Sequence, residues 1–323
     1  MKKTYRVGSY PTMITPYKAD GSVDYETARK YVRWYAENGC DGIFSNCQSS
    51  EIFFLSLEER IKLQKTVYDE VLKIEQETGN RLTVVASGHV SDTIEGQAEE
   101  LCKIAETGAD AIILITNRLD IHNEGDDVWI QNAEALLEKL PPDIGLGLYE
   151  CPHPYKRLLT PRILNWCLEK GRFYFIKDTC CDIHTIRERM EILGGTQLML
   201  LNANCQTLLD SLKAGGSGYC GIMANYHPKL YAWLCHNYKT EPEKAKRLQE
   251  FLCMSGFTEN GLSYPLSAKY HMCLEGIPTE NLARNKESNT FTDYGRACMH
   301  QMRSLSQYFE AMLGGKDDGT FSK

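Results

Sequence analysis

Three short stretches carry residues whose types and spacing suit covalent chemistry on a carbonyl. The first is FYFIKDTCCD, residues 173–182, in which four apolar or aromatic residues read as a strand buried between two layers and Lys177 closes the run. A lysine at the rim of an apolar interior is partly desolvated, which lowers its pKa and leaves a neutral amine that attacks ketones. Tyr149 closes a second apolar run, and SNCQSSE, residues 45–51, follows a third. Each has a plainer reading: a strand-end lysine snorkels to water, a strand-end tyrosine packs in a core, and Ser49 and Ser50 shape a turn. Their combination is what favours chemistry.

The elements that must bring them together follow a regular pattern. Short runs rich in branched residues at 7–14, 42–45, 82–86, 111–115, 144–149, 173–177, 197–201 and 218–222 alternate with longer amphipathic stretches. Ser56-Leu57-Glu58-Glu59 is a capping box opening one such stretch, predicted helical to about residue 72. Eight strands at this spacing predict a parallel α/β architecture, the (β/α)8 barrel, with a doubly wound open sheet as the alternative. NGCDGIF (38–44), TGADAIIL (107–114) and, more loosely, AGGSGYCGI (214–222) repeat one form of entry into a strand, at separations near two and three units of a βα repeat. Chemistry in such a barrel sits on the loops at the carboxyl ends of the strands, so Lys177, Tyr149 and residues 45–51 would face one mouth. Beyond residue 225 the chain reads as helices, PEKAKRLQEFL, LSAKYHMCL and GRACMHQMRSLSQYFEAML, with no Pro/Gly/Ser-rich linker. The expected organisation is a barrel carrying the site over 1–224, then the last barrel helix and a C-terminal helical extension packed on the barrel over 225–323.

Composition removes several function classes. At 323 residues, 42% hydrophobic and 24% charged, the chain can bury a large core. A net charge of -7 argues against nucleic acid and anionic membrane as partners. MKKTYRVGSYPTMI lacks the apolar centre of a signal peptide and no later run is long enough to span a bilayer, so a cytoplasmic location is expected. Thirteen cysteines, an odd number with no CxxC pair, fit a reduced compartment in which buried thiols act as small apolar packers. No metal site is expected.

GSYPTMITPYKADGSVDYE (8–26), Ser49-Ser50-Glu51 with LSLEER (55–60) behind it, LYECP (148–152) and FIKDT (175–179) occur in this order between about residues 7 and 230. Together they resemble the dihydrodipicolinate synthase/N-acetylneuraminate lyase family. The resemblance implies a TIM barrel, a homotetramer or homodimer, and pyruvate chemistry through a Schiff base that needs no metal or organic cofactor. The family's lysine falls on Lys177, and its tyrosine, which passes a proton to or from the substrate oxygen, on Tyr149. The Ser49 hydroxyl and the amides of Ser49 and Ser50 fall where the family holds the pyruvate carboxylate. Cys220 falls at the strand-eight position whose carbonyl lies near the keto acid. The implied activity is a class I aldolase or lyase that joins pyruvate to an aldehyde, or cleaves a 2-keto-3-deoxy sugar acid or a relative.

The departures bear on specificity. The family's Gly-Thr-Thr-Gly-Glu is Cys47-Gln48-Ser49-Ser50-Glu51 here, and the Gln48 amide does not relay protons as a hydroxyl does. The tyrosine that the family lends across a subunit boundary falls in TNRLD, at Arg118 and Leu119. The arginine that anchors a second carboxylate falls on Pro154, with Lys156 and Arg157 as nearby substitutes. Ile52, Phe53 and Leu57 replace the polar residues that bind feedback lysine in some members, and Asn204, Cys205 and Gln206 replace the acids that hold the sugar in sialic acid lyases. Gln48, Arg118, His153 and Thr179 are left to select the aldehyde or sugar-acid tail, while His122 and His184 are expected at the surface. Open alternatives are an imine-dependent dehydratase, 4-hydroxy-tetrahydrodipicolinate synthase, N-acetylneuraminate lyase and a catalytically silent binding barrel. A hydrolase using a metal or the thiols of Cys47, Cys151, Cys180 and Cys181 is a further one.

Overall fold

The computed structural model describes residues 5–285 and 291–314. Its eight strands are β1 (Gly8–Ser9), β2 (Gly42–Ser45), β3 (Thr83–Ala86), β4 (Ala111–Ile115), β5 (Gly145–Tyr149), β6 (Phe173–Asp178), β7 (Met199–Asn202) and β8 (Gly218–Tyr219). They form one parallel sheet in the order β1-β8-β7-β6-β5-β4-β3-β2. Backbone bonds from Phe44 N–H to the Pro11 carbonyl and from Met13 N–H to the Phe44 carbonyl, each 3.0 Å, bring its two ends together. The fold is the TIM barrel that the alternation predicts.

Helices α1 (Tyr25–Glu37), α2 (Leu57–Thr78), α3 (Ile94–Ala105), α4 (Asp126–Leu137), α5 (Pro161–Lys170), α6 (Ile183–Leu193), α7 (Leu208–Lys213) and α8 (Pro228–Asn237) follow the strands in turn. The capping box of α2 forms as expected, Ser56 Oγ accepting from Glu59 N–H and the Glu59 carboxylate from Ser56 N–H. The helix runs past residue 72 because Ile74 still finds the core, and it stops at Gly79, which takes the left-handed conformation at φ 75°.

Two strands are shorter than the sequence suggests. The β1–β8 ladder ends at Ser9, opposite the last residue of β8; toward β2, Pro11 has no N–H to give, and the chain meets that strand at a bridge between Thr12 and Phe44. The chain leaves β8 after Tyr219 and turns into a short 3-10 helix at Ile222–Asn225. Gly8 and Gly218 pair across the β1–β8 seam, where a Cβ on Gly218 would stand 1.9 Å from the Gly8 carbonyl oxygen. Only glycine permits that approach.

Both faces of the sheet are buried, in keeping with an all-parallel barrel. Phe44, Ile113, Tyr149, Phe175 and Leu201 meet inside the barrel, while Leu148, Ile176 and Leu200 face the helices. Strand alternation therefore sends Lys177 inward with Phe175, and Glu150 and Asp178 outward. Beyond α8 come α9 (Pro242–Asn260), α10 (Leu266–Leu274) and α11 (Asp293–Leu313). Their Leu248, Leu252, Met272 and Met299 share one buried cluster with Ile43, Tyr219 and Leu234 of the barrel. Among the described residues no helix is long and apolar enough to cross a membrane, and the 13 cysteines are unbridged.

Candidate active site

β5 and β6 pair with Tyr149 opposite Lys177, so the two side chains leave adjacent strands at the same height. Lys177 is 4% exposed, and its Nζ lies 4.1 Å from the centre of the Tyr149 ring and 5.5 Å from that of Phe44. Over them opens a cavity of about 1010 Å³ whose wall includes Lys177, Tyr149, Gln48, Ser49, His153 and Thr179. Tyr149 OH donates to Gln48 Oε1 at 3.4 Å, and Cys151 Sγ contacts the same oxygen at 3.6 Å. Burial pushes the Tyr149 phenol well above its ordinary pKa, which keeps its proton on the oxygen. Gln48 thus orients the phenol without taking its proton.

The turn after β2 divides the labour of its two serines. Ser50 spends its N–H on the Cys47 carbonyl at 3.0 Å and its hydroxyl on the Met13 carbonyl at 2.6 Å, and it does not line the cavity. Ser49 does, with its Oγ 3.1 Å from Thr12 Oγ1. Tyr264, between α9 and α10, also reaches the wall, with its phenol beside the hydroxyls of Ser49 and Thr12 and accepting from Asn225 Nδ2 at 3.4 Å. Glu51, at φ 59°, is tied to the extension: its carboxylate accepts from Lys269 Nζ at 3.1 Å, Arg284 N–H at 2.6 Å and Asn285 N–H at 3.1 Å. Lys269 is wholly buried, and that burial, only partly offset by Glu51, pushes its pKa down to about 8.

The remaining predicted residues separate. Thr179 stands on the wall with its hydroxyl donating to the Glu150 carbonyl at 2.7 Å, and the His153 ring packs 4.9 Å from Phe53. Arg118 stands off the wall: its guanidinium pairs with Asp92 at 2.6 Å and lies 5.6 Å over the Phe53 ring. The Cys220 side chain is buried inside the barrel. Of the two cations after β5, Arg157 is held by Asp120 and Asp126, whereas Lys156 lines the cavity with its Nζ donating to the Thr179 carbonyl at 2.8 Å. Asn204, Cys205 and Gln206 also line it, and His122 and His184 are exposed. Burial pushes the Cys151 thiol up and the Cys180 and Cys220 thiols up to about 12, which leaves them protonated and poor nucleophiles. Among the described residues no group of three or more His, Cys, Asp or Glu is placed to hold a metal ion.

Sequence reasoning did not find Tyr264, Arg284 and Asn285 on this wall. They sit in links around α10, where only tertiary packing decides what a tyrosine or an amide meets. The one available signal was Glu51 itself, an acid in an apolar neighbourhood that demands partners.

A model of the dihydrodipicolinate synthetase family matches residues 6–291. The chain belongs to that family. Members are lyases, aldolases and synthases among them, characterised by a lysine Schiff base. The match runs well past residue 230 and takes in α9 and α10. Among curated relatives, the 4-hydroxy-tetrahydrodipicolinate synthase of Saccharophagus degradans is 26% identical over 293 residues, 83% of this chain and 96% of the relative. That of Bartonella bacilliformis is 29% identical over 280 residues, 84% of this chain and 90% of the relative. Among solved structures, the sialic acid aldolase of Ruminococcus gnavus superposes with a TM-score of 0.83 at 16% identity, over 96% of this chain and 100% of that one. The curated relatives and this neighbour in fold thus carry the names of two different activities on one barrel.

Proposed function

We propose that the protein is a class I aldolase that joins pyruvate to an aldehyde, or releases them from a 2-keto-3-deoxy sugar acid or relative, through a Schiff base on Lys177. The pairing of Lys177 with Tyr149 at one height of the barrel mouth carries this reading. The Lys177 amine adds to the keto carbon of pyruvate, water leaves, and a protonated imine remains. Water takes a proton from C3, leaving an enamine, and returns one to Tyr149 after the phenol has given its own to the product. The enamine C3 attacks the aldehyde carbon, the new alkoxide takes a proton from Tyr149, and water then hydrolyses the imine to free product and lysine. Cleavage is the same path reversed. Ser49 is the carboxylate donor in this scheme, with its amide beside it.

The wall supports a tail larger than that of a simple aldehyde. Asn204 and Gln206 put amides on it, bonded to each other at 2.7 Å, and Lys156 offers a cation with no acidic partner among the described residues. These replace the arginine and the acids expected of the two named activities, which favours a different sugar-acid substrate. Thr179 and His153 are tail contacts in this scheme, and Arg118 acts only through Phe53. We read the working form as a homo-oligomer; Met254 and Phe257, one turn apart on α9 at 64% and 80% exposure, suit cover by another copy.

Exchange of the pyruvate methyl protons into deuterated water, followed by NMR, tests the enamine. Wild type should exchange them and Lys177→Ala should not; no exchange from wild type with pyruvate or a panel of 2-keto acids contradicts the reading. Product analysis with 2-keto-3-deoxy acids then separates aldol cleavage, giving pyruvate and an aldehyde, from dehydration, giving a single keto acid.

A further inference from the structure

Directly behind Tyr149 and Lys177, two carboxylates share one guanidinium. Strand alternation places Glu150 and Asp178 in the layer between sheet and helices, where unpaired charge is rare. Arg189 meets them there from α6, its Nη2 2.7 Å from Glu150 Oε1 and its Nη1 bonded to Asp178 Oδ2. The side chains of Arg189, Glu150 and Asp178 are 3%, 0% and 0% exposed.

The trio also holds the loops on either side. Arg189 Nη2 reaches the Leu159 carbonyl at 2.9 Å, and Glu150 accepts the N–H groups of Leu159 and Thr179, each at 2.8 Å. Asp178 Oδ1 accepts Cys180 N–H at 2.9 Å. The residues immediately after Tyr149 and Lys177 are therefore tied through their carboxylates to one fork, and those carboxylates hold the N–H groups of Leu159, Thr179 and Cys180. An apolar trio of similar volume would fill this layer without the desolvation cost. What the charged version adds is direction, because a guanidinium fork fixes angles as well as distances.

We propose that Arg189, with Glu150 and Asp178, is a positioning clamp that holds the ends of β5 and β6 level, so that amine and phenol meet the same substrate. The proposal rests on the Schiff-base reading of Lys177. None of the three side chains touches substrate; they act through the backbone of their neighbours.

Arg189→Met, Arg189→Lys and Glu150→Gln are to be compared with wild type and with Arg60→Met. The last breaks a different buried pair, Arg60–Glu100 at 3.0 Å between α2 and α3. For each folded variant, the rate of borohydride-trappable adduct is read against pyruvate concentration. The clamp predicts half-saturation close to wild type, since the Ser49 turn is untouched, and a maximal rate lower by roughly a hundredfold in Arg189→Met. Arg189→Lys should recover part of the loss, Glu150→Gln should show part of it, and Arg60→Met should keep the wild-type rate. If Arg189→Met does not fold, Glu150→Gln, which keeps the side-chain volume, decides. Wild-type maximal rates in Glu150→Gln and the folded Arg189 variants overturn the clamp. So does an Arg60→Met variant as slow as Arg189→Met, which would make the effect one of general stability. A wild type that forms no adduct overturns the Lys177 reading, and the clamp with it, so the two failures are told apart.

Discussion

Two buried ion networks flank the cavity, and they answer burial in opposite ways. Behind β5 and β6, Arg189 faces two carboxylates; burial works against its charge, but Glu150 and Asp178 outweigh burial and hold its pKa above the ordinary arginine value. At the β2 turn, Lys269 has one carboxylate among the described residues, Glu51, whose other oxygen is taken by the N–H groups of Arg284 and Asn285; the Lys269 Nζ also donates to the Leu282 carbonyl. There burial wins, and the lysine falls to about 8. Two counter-charges outweigh burial at Arg189; one carboxylate, with the Arg284 charge nearby, does not at Lys269, which holds its proton less tightly than a free lysine. The strand-end pair thus rests on a fixed charge, whereas the carboxylate turn is fastened to the extension by a contact 218 residues apart in sequence whose proton is held loosely.

Removing the cation from each network should separate them most. Arg189→Met leaves two buried carboxylates facing each other and is expected to cost about 3–5 kcal/mol in urea unfolding. Lys269→Met should cost less, about 1–3 kcal/mol, because Glu51 keeps two backbone donors. It should raise the pyruvate concentration needed for half-saturation more than it lowers the maximal rate. Equal costs in the two variants would erase the contrast.

Stability as a function of pH sharpens it further. Lys269 titrates near 8 in the fold and near 10.5 when free, so across that window the unfolded chain binds more protons. Its contribution is fully present above 10.5 and is lost as pH falls through about 8. Wild type should therefore gain stability relative to Lys269→Met as pH rises from 8, measured by urea midpoints. The difference between wild type and Arg189→Met should stay flat there, because Arg189 remains charged.

The smallest effect belongs to Arg118. Its partner Asp92 is 70% exposed, so Arg118→Ala should cost under about 1 kcal/mol and leave pyruvate adduct formation unchanged. A lost adduct would place Arg118 in the site.

The barrel was readable because its signals are local. Branched runs of strand length, the Ser56–Glu59 box and the lysine and tyrosine that close buried strands all show within a few residues. β1 was read too long because its apolar pattern continues through Pro11, although its partner β8 stops at Tyr219 and Pro11 has no N–H to pair with β2. The division between Ser49 and Ser50 was hidden, since both are hydroxyls in one turn and only the fold aims one at the cavity. Arg118 looked like a site residue from its place after β4, yet Asp92 and Phe53 hold it off the wall. Tyr264, Lys269 and Arg284 left no trace in the sequence, for their partners lie more than two hundred residues upstream or are set by helix packing. The clamp was half visible: Tyr149-Glu150 and Lys177-Asp178 each put an acid after a strand-end residue, and only Arg189 was missing from the reading.

Borohydride trapping with pyruvate, read by intact mass and peptide mapping on wild type and Lys177→Ala, tests the central claim most directly. The account predicts a pyruvyl adduct on the peptide carrying Lys177, absent from the variant. No adduct from wild type, or an adduct on another lysine such as Lys156 that persists in Lys177→Ala, would contradict it.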